Sequence, residues 1–232
     1  MSPQQSNERP VGAFVVAIDG PAASGKGTLA RQLAARFRFA HLDTGRLYRA
    51  TAFLTLAEGD APADPEAAAA AARRIGPGML TDPRLSSEPV ARASSVVAAI
   101  PAVRAALLAF QREFAAHPPP LADGPAQGAV LDGRDIGTVV CPTADIKFFV
   151  TASPETRALR RFKELRESGG AAIYQTVLQD IRERDARDSE RRDAPLAAAP
   201  DAVILDTTAL DVERVFEQAS AIISRALADR RR

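Results

Sequence analysis

The segment from Val15 to Leu29, VVAIDGPAASGKGTL, constrains this chain more than any other stretch. A β-branched apolar run (Val15, Val16, Ala17, Ile18) stops at Asp19-Gly20. Small residues follow, then Gly25-Lys26-Gly27-Thr28, and beyond them Leu29, Leu33 and Phe37 recur at helical spacing. Strand, glycine loop, lysine and helix in that order make the P-loop pattern. Its backbone N–H groups line a concave nest, backed by the positive end of the helix dipole and by a mobile lysine. The implication is a polyphosphate site across Gly20, Pro21, Ala22, Ala23, Ser24, Gly25, Lys26, Gly27 and Thr28. A turn that merely happens to be rich in glycine would need none of the flanking pattern.

The pattern departs from its strict form at one place. A Ser or Thr directly after the lysine meets Mg2+ in the strict motif. Here Gly27 stands there and Thr28 follows one residue later, about 100° further round the helix. That tells against Thr28 as a direct metal ligand and leaves its backbone N–H to face phosphate. The Gly-Lys-Gly-Thr form resembles that of nucleoside monophosphate kinases rather than that of GTPases or motor ATPases.

Composition narrows the field further. Of 232 residues, 46% are hydrophobic and 25% charged, the balance of a soluble α/β domain long enough to bury a substantial core. Lys and Arg number 30 against 29 Asp and Glu, so no basic excess exists to neutralise a nucleic-acid backbone. Cys141 is the single cysteine, which excludes an internal disulfide, and with only two histidines a structural zinc site is not expected. The N-terminus MSPQQSNERPVG lacks an apolar h-region, and no apolar run reaches the ~18–20 residues of a membrane span. The expectation is a cytoplasmic protein, acting as a monomer, with neither nucleic acid nor membrane as partner.

Along the chain, residues 1–12 read as a disordered arm and 13–230 as a single domain. Strands are expected at Ala13–Ile18, Ala40–Leu42, Ala129–Leu131, Ile146–Val150 and Ala202–Leu205. Helices are expected at Lys26–Arg38, Arg46–Glu58, Ala67–Ile75, Val90–Phe114 (with Pro101 opening a second helix), from Pro154 into a charged segment, and at Val212–Ala228. The stretch GPGMLTDPRLSSEP reads as turns, and His117–Gly128 as a proline-rich surface loop. Alternating strands and helices imply a five-stranded parallel sheet with right-handed crossovers. Ligands of such sheets sit outside the strand C-terminal ends, where Gly20–Thr28, Asp43–Gly45 and Asp132–Asp135 converge.

Three further groups carry chemistry. After the second strand, Arg49 lies four residues beyond Gly45, one helical turn away, so Thr44 and Arg49 offer a hydroxyl and a guanidinium to one pocket, and a helix cap followed by a surface arginine explains them equally well. Asp132-Gly133-Arg134-Asp135 ends an apolar run as a Walker B strand does, with Asp132 placed to hold Mg2+ through water; a turn with a local ion pair is the alternative. DIRERDARDSERRD, from Asp180 to Asp193, carries five arginines. Its i,i+4 pairs Asp180/Arg184, Glu183/Arg187 and Asp188/Arg192 suit any solvated helix, each contributing only about 0.2–0.5 kcal/mol. A migrating phosphoryl group, however, spreads charge over its equatorial oxygens, and a hinged lid of arginines after Gly169-Gly170 would supply cations without water. His41, His117, Tyr48 and Cys141 read as structural or inert.

IDGPAASGKGTLA, LDTGRLYR, ASSVVAAIPAVR, DGRDIGTVV and IRERDARDSER, in that order, resemble the bacterial cytidylate kinase family from about Phe14 to the last helix. The resemblance implies a P-loop NTPase-like fold with an acceptor-binding insertion at about 60–114 and an arginine-rich lid at about 157–192. It implies ATP-dependent phosphorylation of CMP and dCMP, Mg2+ arriving with ATP. Lys26 then neutralises charge between donor and acceptor phosphates, Thr44, Arg49 and Arg134 hold the monophosphate, and Ser95, Arg104 and Asp135 read cytosine. Arg184, Asp188 and Arg191 fall near the acceptor nucleoside, and Arg157, Arg161 and Arg187 are lid arginines that close on the phosphoryl. Many family members carry a small inserted β-sheet unit in the acceptor region; Asp60–Ser87 is short and proline-broken, so that unit is expected to be reduced or missing. Two rivals stand beside this reading: a P-loop kinase of UMP or another small metabolite, and a nucleotide-binding module that transfers nothing.

Overall fold

The computed structural model describes residues 12–167 and 169–230. The arm expected over 1–12 therefore lies outside the described residues, save Gly12.

Five strands, β1 (Phe14–Asp19), β2 (Ala40–Asp43), β3 (Gly128–Gly133), β4 (Ile146–Thr151) and β5 (Val203–Asp206), form one parallel sheet in the order β2-β3-β1-β4-β5. Around them run α1 (Lys26–Phe37), α2 (Thr44–Ala57), α3 (Pro65–Ala72), α4 (Glu88–Val97), α5 (Pro101–Ala116), α6 (Pro154–Glu167), α7 (Tyr174–Ser189) and α8 (Val212–Arg230). Every expected strand is present, with no end shifted by more than two residues.

The central strands are apolar on both faces because both are covered. Ala17, Leu42 and Leu131 pack with Leu47, Val97, Val103 and Leu107 under α2, α4 and α5. Val16, Ile18, Val130, Phe148 and Val150 pack with Leu29, Leu33 and Ile223 under α1 and α8. Each such side chain contributes about 1.5–3 kcal/mol by leaving water. Asp19 pairs with Gly133 and Asp43 with Asp132, so β1, β2 and β3 end level with one another and their following loops share one edge.

Local chemistry explains where the elements begin. Asp64 accepts from the N–H groups of Glu66 and Ala67 at 2.9 and 3.1 Å, and Pro65 opens α3, so that helix starts before Ala67. From 76 to 87 the chain makes two 3₁₀ turns, and among the described residues no strand occurs between β2 and β3. The inserted β-sheet unit is missing. The helix expected from Pro154 into the charged segment is a hairpin of two helices, α6 and α7, broken at the expected Gly169-Gly170 hinge, where Gly169 turns with φ +84°. A π-helical turn, Ile136–Val140, was not expected from the sequence. The proline-rich loop is tied down by an Arg38–Asp123 ion pair and a bridge between Leu121 and Gly124. Among the described residues no single helix is long and apolar enough to cross a membrane; α4 and α5 qualify only together, across a 99° bend.

Candidate active site

The loop after β1 takes its shape from two backbone positions. A Cβ on Gly20 would stand 2.0 Å from the carbonyl oxygen of Val150, so the chain passes β4 there only as glycine. Gly25 sits at φ +92° as the residue before α1, and Ala23 also adopts the left-handed region at φ +58°. Ala22 to Thr28 face a cleft of ≈ 630 Å3, while Gly20 and Pro21 form its root without lining it. Ser24 is fully buried and its Oγ has no hydrogen-bond partner, an unused polar atom at the head of α1.

Lys26 donates from Nζ to the Pro21 carbonyl at 3.2 Å. Burial, reinforced by the positive Arg134 and opposed by Asp132 and Asp43, pulls its pKa down to about 7. A lysine that is expensive to charge in the free protein is one that an incoming phosphate recharges.

The opposite wall of the same cleft comes from α2, α4, α5, the end of β3 and α7. Asp188, 1% exposed, is its centre. Arg134 Nε donates to Asp188 Oδ2 at 2.8 Å, Arg191 pairs with Oδ1, and Arg184 Nε lies 4.0 Å from Oδ2. Burial pushes this carboxyl upward, but the three guanidiniums together outweigh it and hold the pKa at about 2. One carboxylate thus serves three cations, leaving a surplus of positive charge. The buried Nε atoms of Arg184 and Arg191 make no hydrogen bond, and burial beside Arg134 drags Arg184 down to about 9.

Asp135 and Arg104 pair at the far end of the cleft, with Arg104 over the Tyr48 ring at 5.8 Å. Burial raises the Asp135 pKa against the lowering fields of Arg104, Arg191 and Arg134. Ser95 is buried nearby and accepts from Arg187 Nε at 3.2 Å. Thr44 Oγ1 donates to the Asp132 carbonyl at 2.8 Å, and Arg49 donates to the Leu85 carbonyl at 2.9 Å. Thr44, Arg49, Ser95, Arg104, Arg134, Asp135, Arg161, Arg184, Arg187, Asp188 and Arg191 all line the cleft together with the loop.

Arg157 does not. It is buried, its guanidinium meets Asp185 at 2.9 and 2.6 Å, its Nε meets the Ala152 carbonyl, and NH1 reaches the Ala22 carbonyl at 3.3 Å. In this conformation it pins α6 to α7 and to the loop. Of the i,i+4 pairs expected in Asp180–Asp193, Glu183–Arg187 forms in solvent at 3.9 Å, but Asp188 turns from Arg192 to Arg134 and Arg191, and Arg182 pairs with Glu155 on α6 instead.

Three residues escaped sequence reasoning. His41 Nε2 lies 2.8 Å from Asp132 Oδ1; the strand alternation Ala40-His41-Leu42 already set it apart from the apolar face. Arg160, beside the expected Arg161, donates to Thr207 Oγ1 and to its carbonyl, fastening the loop after β5 beside Ser24. Asp19 accepts two backbone N–H groups from the π-helical turn. Cys141 is buried and its thiol is pushed up to about 11 by that burial, in keeping with an inert residue.

Comparison with known proteins gives one answer. The family model described as cytidylate kinase matches residues 16–225. The chain is 60% identical to the cytidylate kinase of Rhodospirillum rubrum over 173 residues, covering 75% of this chain and 79% of that one. It is 56% identical to that of Paramagnetospirillum magneticum over 209 residues (90% and 97% covered) and 57% identical to that of Methylocella silvestris over 213 residues (92% and 95% covered). With a parallel sheet in this strand order, a glycine loop facing an arginine-lined wall and a match over nearly its whole length, the chain belongs to the cytidylate kinase family.

Proposed function

We propose that this protein phosphorylates CMP and dCMP with ATP, giving CDP or dCDP and ADP, as a step of pyrimidine nucleotide metabolism in the cytoplasm. The observation that carries the reading is one cleft with two unlike walls: a backbone nest with an unpartnered Ser24 Oγ on one side, and guanidiniums gathered on Asp188 with the Asp135–Arg104 pair on the other. ATP phosphates fit the nest, where Ala22 to Thr28 supply N–H groups and Lys26 a cation. Mg2+ would arrive on those phosphates, neutralising part of their charge, with Asp132 the nearby carboxylate able to hold its water.

An oxygen of the CMP phosphate attacks the γ-phosphorus in line, and the bond from that phosphorus to the β,γ-bridging oxygen breaks. ADP leaves with the electron pair, and no protein nucleophile takes part. Thr44, Arg49 and Arg134 hold the attacking phosphate, and Lys26, Arg161 and Arg187 meet the charge spreading over the transferring group. Arg157 joins them only when its pair with Asp185 opens, so in the unliganded protein we assign it to holding the lid hairpin. Cytosine presents an exocyclic amine that Asp135 accepts, and N3 and O2 acceptors suited to Arg104 and Ser95. Uracil would set a carbonyl against the Asp135 carboxylate. Arg184, Asp188 and Arg191 border the acceptor nucleoside.

The direct test is ADP release from ATP with CMP, dCMP, UMP or no acceptor. Release that depends on CMP or dCMP and is weak with UMP supports the reading. Equal turnover of UMP would indicate a different acceptor, and no acceptor-dependent release would indicate a binding module.

A further inference from the structure

Asp19 is a buried carboxylate for which the reaction has no use. It ends β1, directly before the donor loop, is 4% exposed, and forms no ion pair among the described residues. Its only hydrogen-bond partners among those residues are two backbone groups: Ile136 N–H donates to Oδ1 and Gly137 N–H to Oδ2, both at 2.7 Å. Stability alone argues against such a residue, because a buried charge without a cation is costly and an apolar side chain would pack there at less expense.

The turn it holds explains its presence. Ile136–Val140 is a π-helical turn whose first N–H groups need acceptors, and Asp135 occupies the capping position before it. An aspartate there ordinarily turns back on the N–H groups of the second and third residues that follow. Asp135 makes no such bond; its carboxylate points away and pairs with Arg104. We infer that Asp19 is a positioning residue that caps the Ile136–Val140 turn in place of Asp135, so that the Asp135 carboxylate stays free to face the acceptor base. The same contact ties the root of the donor loop to the base-reading turn, since β1 and β3 run side by side as far as Asp19 and Gly133. Without it, the Gly137 N–H, one of the two donors that a capping Asp135 would take, falls vacant and gives Asp135 reason to swing back onto it.

The inference rests on the reading of Asp135 as the residue that recognises cytosine. Its test is the ratio of kcat/KM for CMP to that for UMP, measured with the KM for ATP. For Asp19→Asn, whose amide matches only one of the two N–H donors, the CMP:UMP ratio falls about tenfold, through KM for CMP, while KM for ATP stays within about twofold. The double variant Asp19→Asn/Asp135→Ala discriminates no worse than Asp135→Ala alone. Asp19→Ser, smaller and also able to accept one bond, moves the ratio the same way and serves if the asparagine variant folds poorly. A ratio unchanged in both Asp19 variants while Asp135→Ala lowers it overturns this inference alone. An increase in KM for ATP equal to that for CMP also overturns it, since Asp19 would then serve the donor loop generally. If Asp135→Ala itself leaves the ratio intact, the reading of Asp135 fails and takes the inference with it.

Discussion

On the function proposed above, the two walls of the cleft solve the same problem, holding phosphate, by opposite means. The donor wall is backbone: a loop shaped by Gly20 and Gly25, a helix end, one lysine and one idle hydroxyl. The acceptor wall is side chain: Arg134, Arg184 and Arg191 kept in place by the buried Asp188, and Arg104 by Asp135. A nest of dipoles needs no counter-charge, so it can stand unliganded at little cost. Crowded guanidiniums repel one another and need a carboxylate to wait beside. The donor wall is therefore contiguous in sequence, while the acceptor wall is assembled from five separate segments.

Four measurements press on that contrast, from the largest effect down. Lys26→Ala removes the one cation within the donor loop itself, so kcat is expected to fall about a thousandfold in steady-state assays. Its melting temperature should hold or rise, because the ammonium is disfavoured in the unliganded fold. A substantial loss of stability would mean that the lysine belongs to the architecture as well as to the chemistry.

Asp188→Ala tests the acceptor wall in the reverse sense. Leaving three partly buried guanidiniums without their buried carboxylate should cost about 3 kcal/mol. For a chain of this size that lowers the melting temperature by roughly 10 °C in a thermal scan. Added inorganic phosphate or CMP should restore part of the loss if the surplus charge is meant for an anion.

Asp135→Ala separates recognition from charge. The CMP:UMP preference should drop by about thirtyfold, since a polar site built for one hydrogen-bonding edge loses its discrimination when one partner goes. The turnover of UMP itself should change much less.

The smallest effect is in pH. Between about 7 and 10.5 the unfolded lysine keeps a proton that Lys26 in the unliganded fold has lost, so this group makes the free protein more stable as pH rises through that window. Phosphate reverses the balance by recharging Lys26. ATP binding at pH 8 should thus take up a proton, visible by titration calorimetry in buffers of different ionisation enthalpy. Affinity should weaken by at most about tenfold per pH unit above 7, and Lys26→Ala should abolish the uptake.

How much of this was legible in the amino-acid order follows the same division. The P-loop, the five strands and the helix pattern could be read because each depends on neighbours: an apolar period, a proline at a helix start, a glycine where φ is positive. Arg157 shows where that legibility ends. The resemblance implied a phosphoryl contact for it, yet in this conformation Asp185, on the next helix, holds its guanidinium. His41 and Asp19 looked unremarkable because their partners lie 91 and 117 or more residues away. The Gly169-Gly170 hinge could be read, because glycine breaks a helix locally, but that α6 and α7 fold back on each other as a hairpin could not.

By itself, then, the sequence determined a parallel α/β sheet with a polyphosphate loop at its edge, since local periodicity and backbone freedom are properties of adjacent residues. The resemblance of its motifs pointed on to the acceptor. Tertiary structure alone decided which charges meet. Arg134, Arg184 and Arg191 share Asp188, Asp135 is left free for Arg104, and Asp19 takes over the cap. The physical reason is that a charge's partner is fixed by proximity and burial in the folded chain, and neither is encoded in the spacing along it.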